Sequence, residues 1–180
     1  MNIFRWIDDL FQNAKQKKIK KELAHVKQEI ENAIIDGALD KVLYLVLNAM
    51  SLLFLVDRNY RRNIKDFTGS YVIKSEDGKI DVSALFGKKR LLFSKIDAMT
   101  VKDSEVSNPV SKVSFKNGKS MIDFLLSGNP DVLKGMLSNQ LSVSGNLNYL
   151  FKFVYMLMLI PDILGINGFG KMTQEAVAQS

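Results

Sequence analysis

Apolar residues recur at steps of three and four as far as residue 65, and at steps of two immediately beyond it. A side chain returns to one face of a helix after three or four positions and to one face of a strand after two. The chain therefore cannot fold as all-helix or all-sheet. It divides into a helical N-terminal part and a following part that mixes strands with helices. Residues 1–65 contain no proline and one glycine, Gly37. Ile3, Ile7, Leu10 and Ala14, then Leu23, Val26, Ile30, Ile34 and Ala38, mark one helical face. Gly37 ends or bends that helix, and a more apolar one comes next at about Leu39–Val56.

From residue 67 the alternation is clear. Tyr71 and Ile73 alternate with Ser70, Val72 and Lys74, and Ile80 and Val82 with Asp81 and Ser83. Asp77-Gly78 lies between them, the signature of a hairpin. Gly87-Lys88-Lys89-Arg90 reads as another turn, and Leu91–Val101 as more strand. Ser104–Ser111 reads as loop, and Val113 and Phe115 as a further strand. Ile122, Leu125 and Leu126 predict a short helix ended by Gly128. Asn129-Pro130-Asp131 has the chemistry of a helix start. Leu141 and Val143 predict a short strand, broken by Gly145-Asn146 before a strongly apolar helix.

Two stretches raise the question of a membrane. Val42–Val56 is interrupted only by Asn48 and Ser51, and Leu147–Ile160 carries Asn148 and Lys152. Both are shorter than the roughly 20 apolar residues a span requires. They read as buried helices, with a span near 38–56 as the competing reading.

The chemistry available is narrow. There is no cysteine, which removes disulfides, thiol nucleophiles and zinc–thiolate sites, and the single histidine, His25, cannot build a multi-histidine metal centre. No metal site and no cofactor is expected. Gly165–Lys171 matches the first seven positions of a phosphate-binding loop, but Met172 stands where a magnesium-binding Ser or Thr is needed. Asp8 and Asp9 are neighbours on a helix and point apart. Ser142 and Ser144 have no histidine to activate them. The expectation is a protein that is not an enzyme.

The order of elements from about residue 68 to 160 resembles the sterol-carrier-protein domain, a family of intracellular lipid-binding modules. The matching segments begin with Gly69-Ser70-Tyr71-Val72-Ile73 and Asp77-Gly78-Lys79-Ile80-Asp81-Val82. They continue with Val113-Ser114-Phe115, Leu125-Leu126-Ser127-Gly128, the helix 131–137 and Leu141-Ser142-Val143-Ser144-Gly145-Asn146. Residues 1–40 extend beyond the family core, and Arg90–Ser111 is longer than a simple third strand.

The resemblance implies an α+β fold: a mainly antiparallel twisted sheet of about five strands, covered on one face by helices, with an N-terminal helical extension. It divides the chain into an amphipathic extension (1–40), a lipid-binding domain (41–160) and a C-terminal tail (161–180). It also implies non-enzymatic binding or transfer of a fatty acid, acyl-CoA, sterol or phospholipid in an apolar cavity. The residues expected to line it are Leu125, Leu133, Met136, Leu137, Leu150, Phe153, Val154, Leu157 and Met158.

Net charge is +6, with +4 of it in residues 1–65. Lys15, Lys17 and Lys18 come after Phe4, Trp6, Ile7, Leu10 and Phe11, the pattern of a helix lying on an anionic membrane. Packing against the domain or a second copy is the competing reading. Arg58, Arg61 and Arg62 are a second basic cluster of the kind that meets a lipid headgroup. The expected partners are a lipid or fatty-acyl ligand, an anionic membrane surface and a homo-oligomeric copy. Nucleic acid is not expected, since no recognition motif accompanies the charge. The expected location is cytoplasmic, peripheral at a membrane. The alternative class is a structural protein that oligomerises through its apolar helices.

Overall fold

The order of the five strands, β3-β2-β1-β4-β5, dictates where every connection runs. The computed structural model describes residues 3–35, 38–91, 94–126 and 130–166. Helix α1 (Ile3–Ile35) and helix α2 (Leu39–Val56) precede the short α3 (Arg58–Arg61) and a 3-10 turn (Arg62–Ile64). Strands β1 (Gly69–Ser75), β2 (Asp81–Leu91), β3 (Ser94–Lys102) and β4 (Ser111–Phe115) come next. Helices α4 (Gly118–Leu126) and α5 (Val132–Leu137), strand β5 (Leu141–Gly145) and helix α6 (Leu147–Leu164) complete the order.

Asp57 ends α2. Its carboxylate accepts from the backbone N–H groups of Asn59 and Tyr60 at 2.8 and 3.0 Å, starting α3 as a new helix. The axis bends by 101° there. The two polar residues of α2 are bonded: Ser51 Oγ donates to the Met99 carbonyl at 2.7 Å, and Asn48 to the Tyr44 carbonyl at 2.8 Å. Val42, Leu43, Leu47, Ala49, Met50 and Phe54 are almost fully buried, as in a core helix. α6 alone among the described helices is long and apolar enough by itself to cross a membrane. One face of it, carrying Leu150, Phe153, Leu157 and Ile160, is buried on the sheet and helices.

The β1–β2 turn is as the sequence predicts, with Gly78 at φ 71°. The turn expected at Gly87–Arg90 is not one. Gly87, Lys88, Lys89 and Arg90 continue β2 and pair with Ala98, Asp97, Ile96 and Lys95. The sheet is mixed: β1 pairs with β4 in parallel, and the other three pairings are antiparallel. A parallel neighbour cannot be reached by a tight turn. The segment from β3 to β4 therefore crosses the face of the sheet away from the helices. It is held there by Ser83 Oγ, which donates to the Ser104 carbonyl at 2.6 Å. Glu105 forms ion pairs with Lys74 of β1 and Lys112 of β4.

The helices lie on the other face. Phe54, Tyr60, Tyr71, Phe86 and Phe153 form an aromatic group where α2, α3, β1, β2 and α6 meet. The second half of α1 joins this core through Val26, Ile30, Ala33 and Ile34.

Asp131, not Asn129, caps α5, accepting from the Lys134 N–H at 3.0 Å; Asn129 and Gly128 lie outside the described residues. α6 runs four residues past its expected end at Ile160, to Leu164. Pro161 gives up one helical bond near the end, and Gly165 at φ 64° closes the last turn. Of the phosphate-loop match only Gly165 and Ile166 are described.

Candidate binding site

Strand alternation and helix periodicity point their apolar residues into one space. From the sheet come Ile73, Val113, Phe115 and Leu141. Leu43 of α2, Phe124 and Leu125 of α4 and Val132 of α5 close the sides. α6 contributes Leu150, Phe153, Val154 and Leu157, one helical face. Among the described residues, no polar side chain lines the space. Its free volume is about 20 Å³, which is room for about one water molecule. The site is a narrow apolar slot, and an acyl chain enters it only if a wall moves.

The walls are not equally fixed. α6 is tied to the sheet side by the stack of Phe153 on Tyr71, ring centroids 4.4 Å apart. Two buried hydroxyls also hold its backbone. Tyr60 donates to the Met156 carbonyl at 2.8 Å, and Tyr71 to the Tyr149 carbonyl at 3.1 Å. Burial raises both phenol pKa values above the ordinary range, so both stay protonated donors. α5 is six residues long and buries only Val132 and Gly135. A Cβ at Gly135 would lie 2.7 Å from Leu141 Cδ2, so glycine is what lets α5 sit close on β5. α5 thus brings one side chain, Val132, to the slot.

Of the nine residues the sequence assigned to a cavity, Leu125, Leu150, Phe153, Val154 and Leu157 line the slot. Met136 is half-buried and packs against the core at the margin. Leu133, Leu137 and Met158 are outside it, 55%, 86% and 37% exposed. α5 turns Val132 and Gly135 inward, which sends Leu133 and Leu137 to solvent. Met158 lies on the flank of α6, about a quarter turn from Leu150 and Leu157, where the helix comes out to solvent. Sequence reasoning missed Ile73, Val113, Phe115 and Leu141, although their alternation with polar neighbours already marked them as facing one side. Leu43 and Val132 fall within helices that the sequence predicts, and Phe124 was not singled out.

Of the membrane-surface residues, Lys17 and Lys18 are exposed on α1. Phe4, Trp6, Ile7, Leu10, Phe11 and Lys15 fall in the helical backbone of α1, with their side chains outside the described residues. His25 is at the surface, 3.6 Å from the Glu29 carboxylate. Among the described residues no group of three or more His, Asp or Glu side chains is placed to hold a metal.

A second, open groove of about 550 Å³ runs between the α1–α2 corner and the β1–β2 turn. Glu29, Asp81 and Asp103 oppose Lys41 and Lys79 along it, and Ala33, Leu45 and Ile80 form its floor. Its size suits a small molecule, but its charges of both signs select no one ligand class.

The fold and slot define an α+β protein with helices on one face of a five-stranded mixed sheet. No protein-family model matches the chain, and no curated protein matches it. Among solved structures it is similar to the solution structure of the sterol carrier protein domain 2 of Helicoverpa armigera. The two are 14% identical, the match covers 68% of this chain and 89% of that one, and the TM-score is 0.42. The likeness is one of fold at a distance.

Proposed function

We propose that the chain binds a hydrophobic lipid without chemical conversion, taking an acyl chain or similar apolar body into the slot beneath α5. The observation that carries this reading is the slot itself, an all-apolar space between sheet and helices with the six-residue α5 at one side. Each methylene moved from water into such a space gains about 0.8 kcal/mol. That gain offsets displacement of Val132 and of the side chains it touches. Leu133 and Leu137, exposed on the outer side of α5, would meet the ligand or the membrane once the helix lifts. Fatty acid, acyl-CoA, sterol and phospholipid all fit this chemistry. The aromatic and basic N-terminal segment brings the carrier to an anionic bilayer.

The test is direct. The purified protein is extracted with organic solvent and the extract examined for lipid; the delipidated protein is then titrated with a fluorescent fatty acid. Saturable binding by folded protein supports the reading. Folded protein that carries no lipid and binds none rejects it.

A second reading has its own observation. Phe151, Tyr155 and Met158 form an exposed apolar stripe on α6, with Tyr155 57% exposed. Such a stripe suits self-association. Light scattering separates the two: a stable oligomer dissociated by Tyr155→Glu, together with absence of lipid binding, favours it.

A further inference from the structure

We infer that α3, the 3-10 turn after it and the end of the β2–β3 ladder that carries Lys88, Asp97 and Lys95 form one docking surface for the headgroups of anionic lipids. Contacts join these segments. Lys88 of β2 is 2.7 Å from the Asp66 carboxylate, just after the 3-10 turn, and 2.8 Å from Asp97 of β3. Arg61 feels the charges of Arg58, Asp97 and Asp57. Its guanidinium Nε is buried without a hydrogen-bond partner. Arg90 and Lys95 lie two residues further along the same strand faces, roughly 7 Å on. They stand directly opposite each other in the register. Arg58, Arg62, Lys65, Lys88, Arg90 and Lys95 are exposed.

Counting Arg61, seven cations meet three carboxylates, Asp57, Asp66 and Asp97, an excess of four. In the sequence only the three arginines stand out. The lysines and Arg90 join them because Gly87–Arg90 is strand rather than turn.

The aromatic neighbours decide the class of partner. Phe67 comes directly after Asp66 and packs on Tyr71, Phe86 and Tyr149, with ring centroids 6.0, 5.5 and 5.2 Å away. Phe67, Tyr71 and Phe86 are engaged with one another in the core rather than set out in a row as a platform for nucleic-acid bases. Tyr149 is 40% exposed at the edge of the group, an amphipathic ring suited to headgroup depth. The inference rests on these charges and rings and stands apart from the slot. Vesicle binding and fatty-acid titration report on the two separately.

The full-length protein is floated with vesicles of phosphatidylcholine alone and of equal parts phosphatidylcholine and phosphatidylserine. Binding is expected only to the second, and is expected to weaken as salt is raised. The triple variant Arg62→Gln, Lys65→Gln, Lys95→Gln changes exposed side chains only. At about fivefold per basic residue near an anionic surface, it should bind about a hundredfold more weakly with an unchanged thermal midpoint. If the triple variant misfolds, Lys95→Gln alone should show the fivefold loss. Lys17→Gln with Lys18→Gln serves as the α1 control. The inference is overturned if the patch variant binds like the parent, or if the α1 control alone removes all binding. Equal binding to neutral vesicles also overturns it, as does patch-dependent binding of a single-stranded oligonucleotide by protein that ignores vesicles.

Discussion

Tyr71 lies flat against Phe153, the rings 14° from parallel, and its hydroxyl reaches past to donate to the Tyr149 carbonyl one turn earlier in α6. One strand residue thus fixes the final helix both by its ring and by its oxygen. α6 forms the inner wall of the slot, so this pair sets how far that wall stands from the sheet.

Tyr71→Phe keeps the stack and removes the donor. It should cost about 1 kcal/mol, a fall of about 2–4 °C in the thermal midpoint for a chain of this size. Tyr71→Ala removes the ring as well and should cost about 3–5 kcal/mol. Burial raises the Tyr71 and Tyr60 phenols above their ordinary value of 10.0. The folded chain therefore holds these protons more tightly than the unfolded one. The stability they contribute is complete below about pH 10 and is lost as pH rises beyond it. Alkaline unfolding measured by circular dichroism should begin later in Tyr71→Phe, relative to its own neutral-pH stability, than in the parent.

Gly145 and Asn146 divide the turn from β5 into α6 between them. Gly145 has φ 95°, and a Cβ there would clash with the Val110 carbonyl oxygen. Asn146 caps α6, accepting from the Asn148 and Tyr149 N–H groups at 2.9 and 3.3 Å. Asn146→Ala should cost about 1 kcal/mol. Gly145→Ala meets the Val110–Ser111 backbone at a positive φ and should cost about 3 kcal/mol or more. Denaturant melts of the two variants should rank in that order.

This turn was legible in the sequence because its causes are local: a glycine for the positive φ and a capping side chain beside it. β2 shows the opposite case. Gly87-Lys88-Lys89-Arg90 has the composition of a turn, but its conformation is decided by Ala98, Asp97, Ile96 and Lys95 across the ladder. The parallel β1–β4 pairing was illegible for the same reason, since strand order is a long-range property. The inner face of α6 could be read from eighteen residues of helix. The inner face of α5 could not, because six residues give a helical stripe only one or two members. Leu133 and Leu137 were placed inside on that account.

The crossover on the outer face should loosen in acid. Hydrogen bonds from Lys112 and Lys74 hold the Glu105 carboxyl below its ordinary value of 4.5. The stability it contributes is therefore present above about pH 4.5 and is lost as pH falls through the lowered value. Protection of the loop 103–110 from hydrogen exchange, taken relative to the intrinsic rate at each pH, should fall over that interval before the sheet itself opens. In Glu105→Gln the loop should exchange faster at neutral pH and lose this acid step.

The N-terminal segment has a separate expected outcome. If Phe4, Trp6, Ile7, Leu10 and Phe11 enter a bilayer, Trp6→Asp with Phe11→Asp should weaken flotation with anionic vesicles by at least about tenfold, since each change removes buried apolar area and adds repulsion. The thermal midpoint should stay where it is. A fall in midpoint with unchanged flotation would mean that these rings pack on protein.

The slot admits a test in two directions. Leu157 is 6% exposed and faces the slot, so Leu157→Arg buries an unpaired charge and should unfold the protein rather than report on ligand. Changes of volume are better. Val113→Ile adds one methylene beside a space of about 20 Å³. It should leave stability level or raise it by up to about 1 kcal/mol, while fatty-acid affinity falls because the wall has further to move. Leu150→Ala removes atoms from the same space and should cost about 2–5 kcal/mol. The larger cavity should raise affinity for fatty acid and recover part of the lost midpoint when ligand is present. Thermal melts with and without fatty acid read both variants on one scale. Opposite shifts in affinity place the ligand in the slot. Equal affinities in parent, filled and enlarged proteins would put it elsewhere.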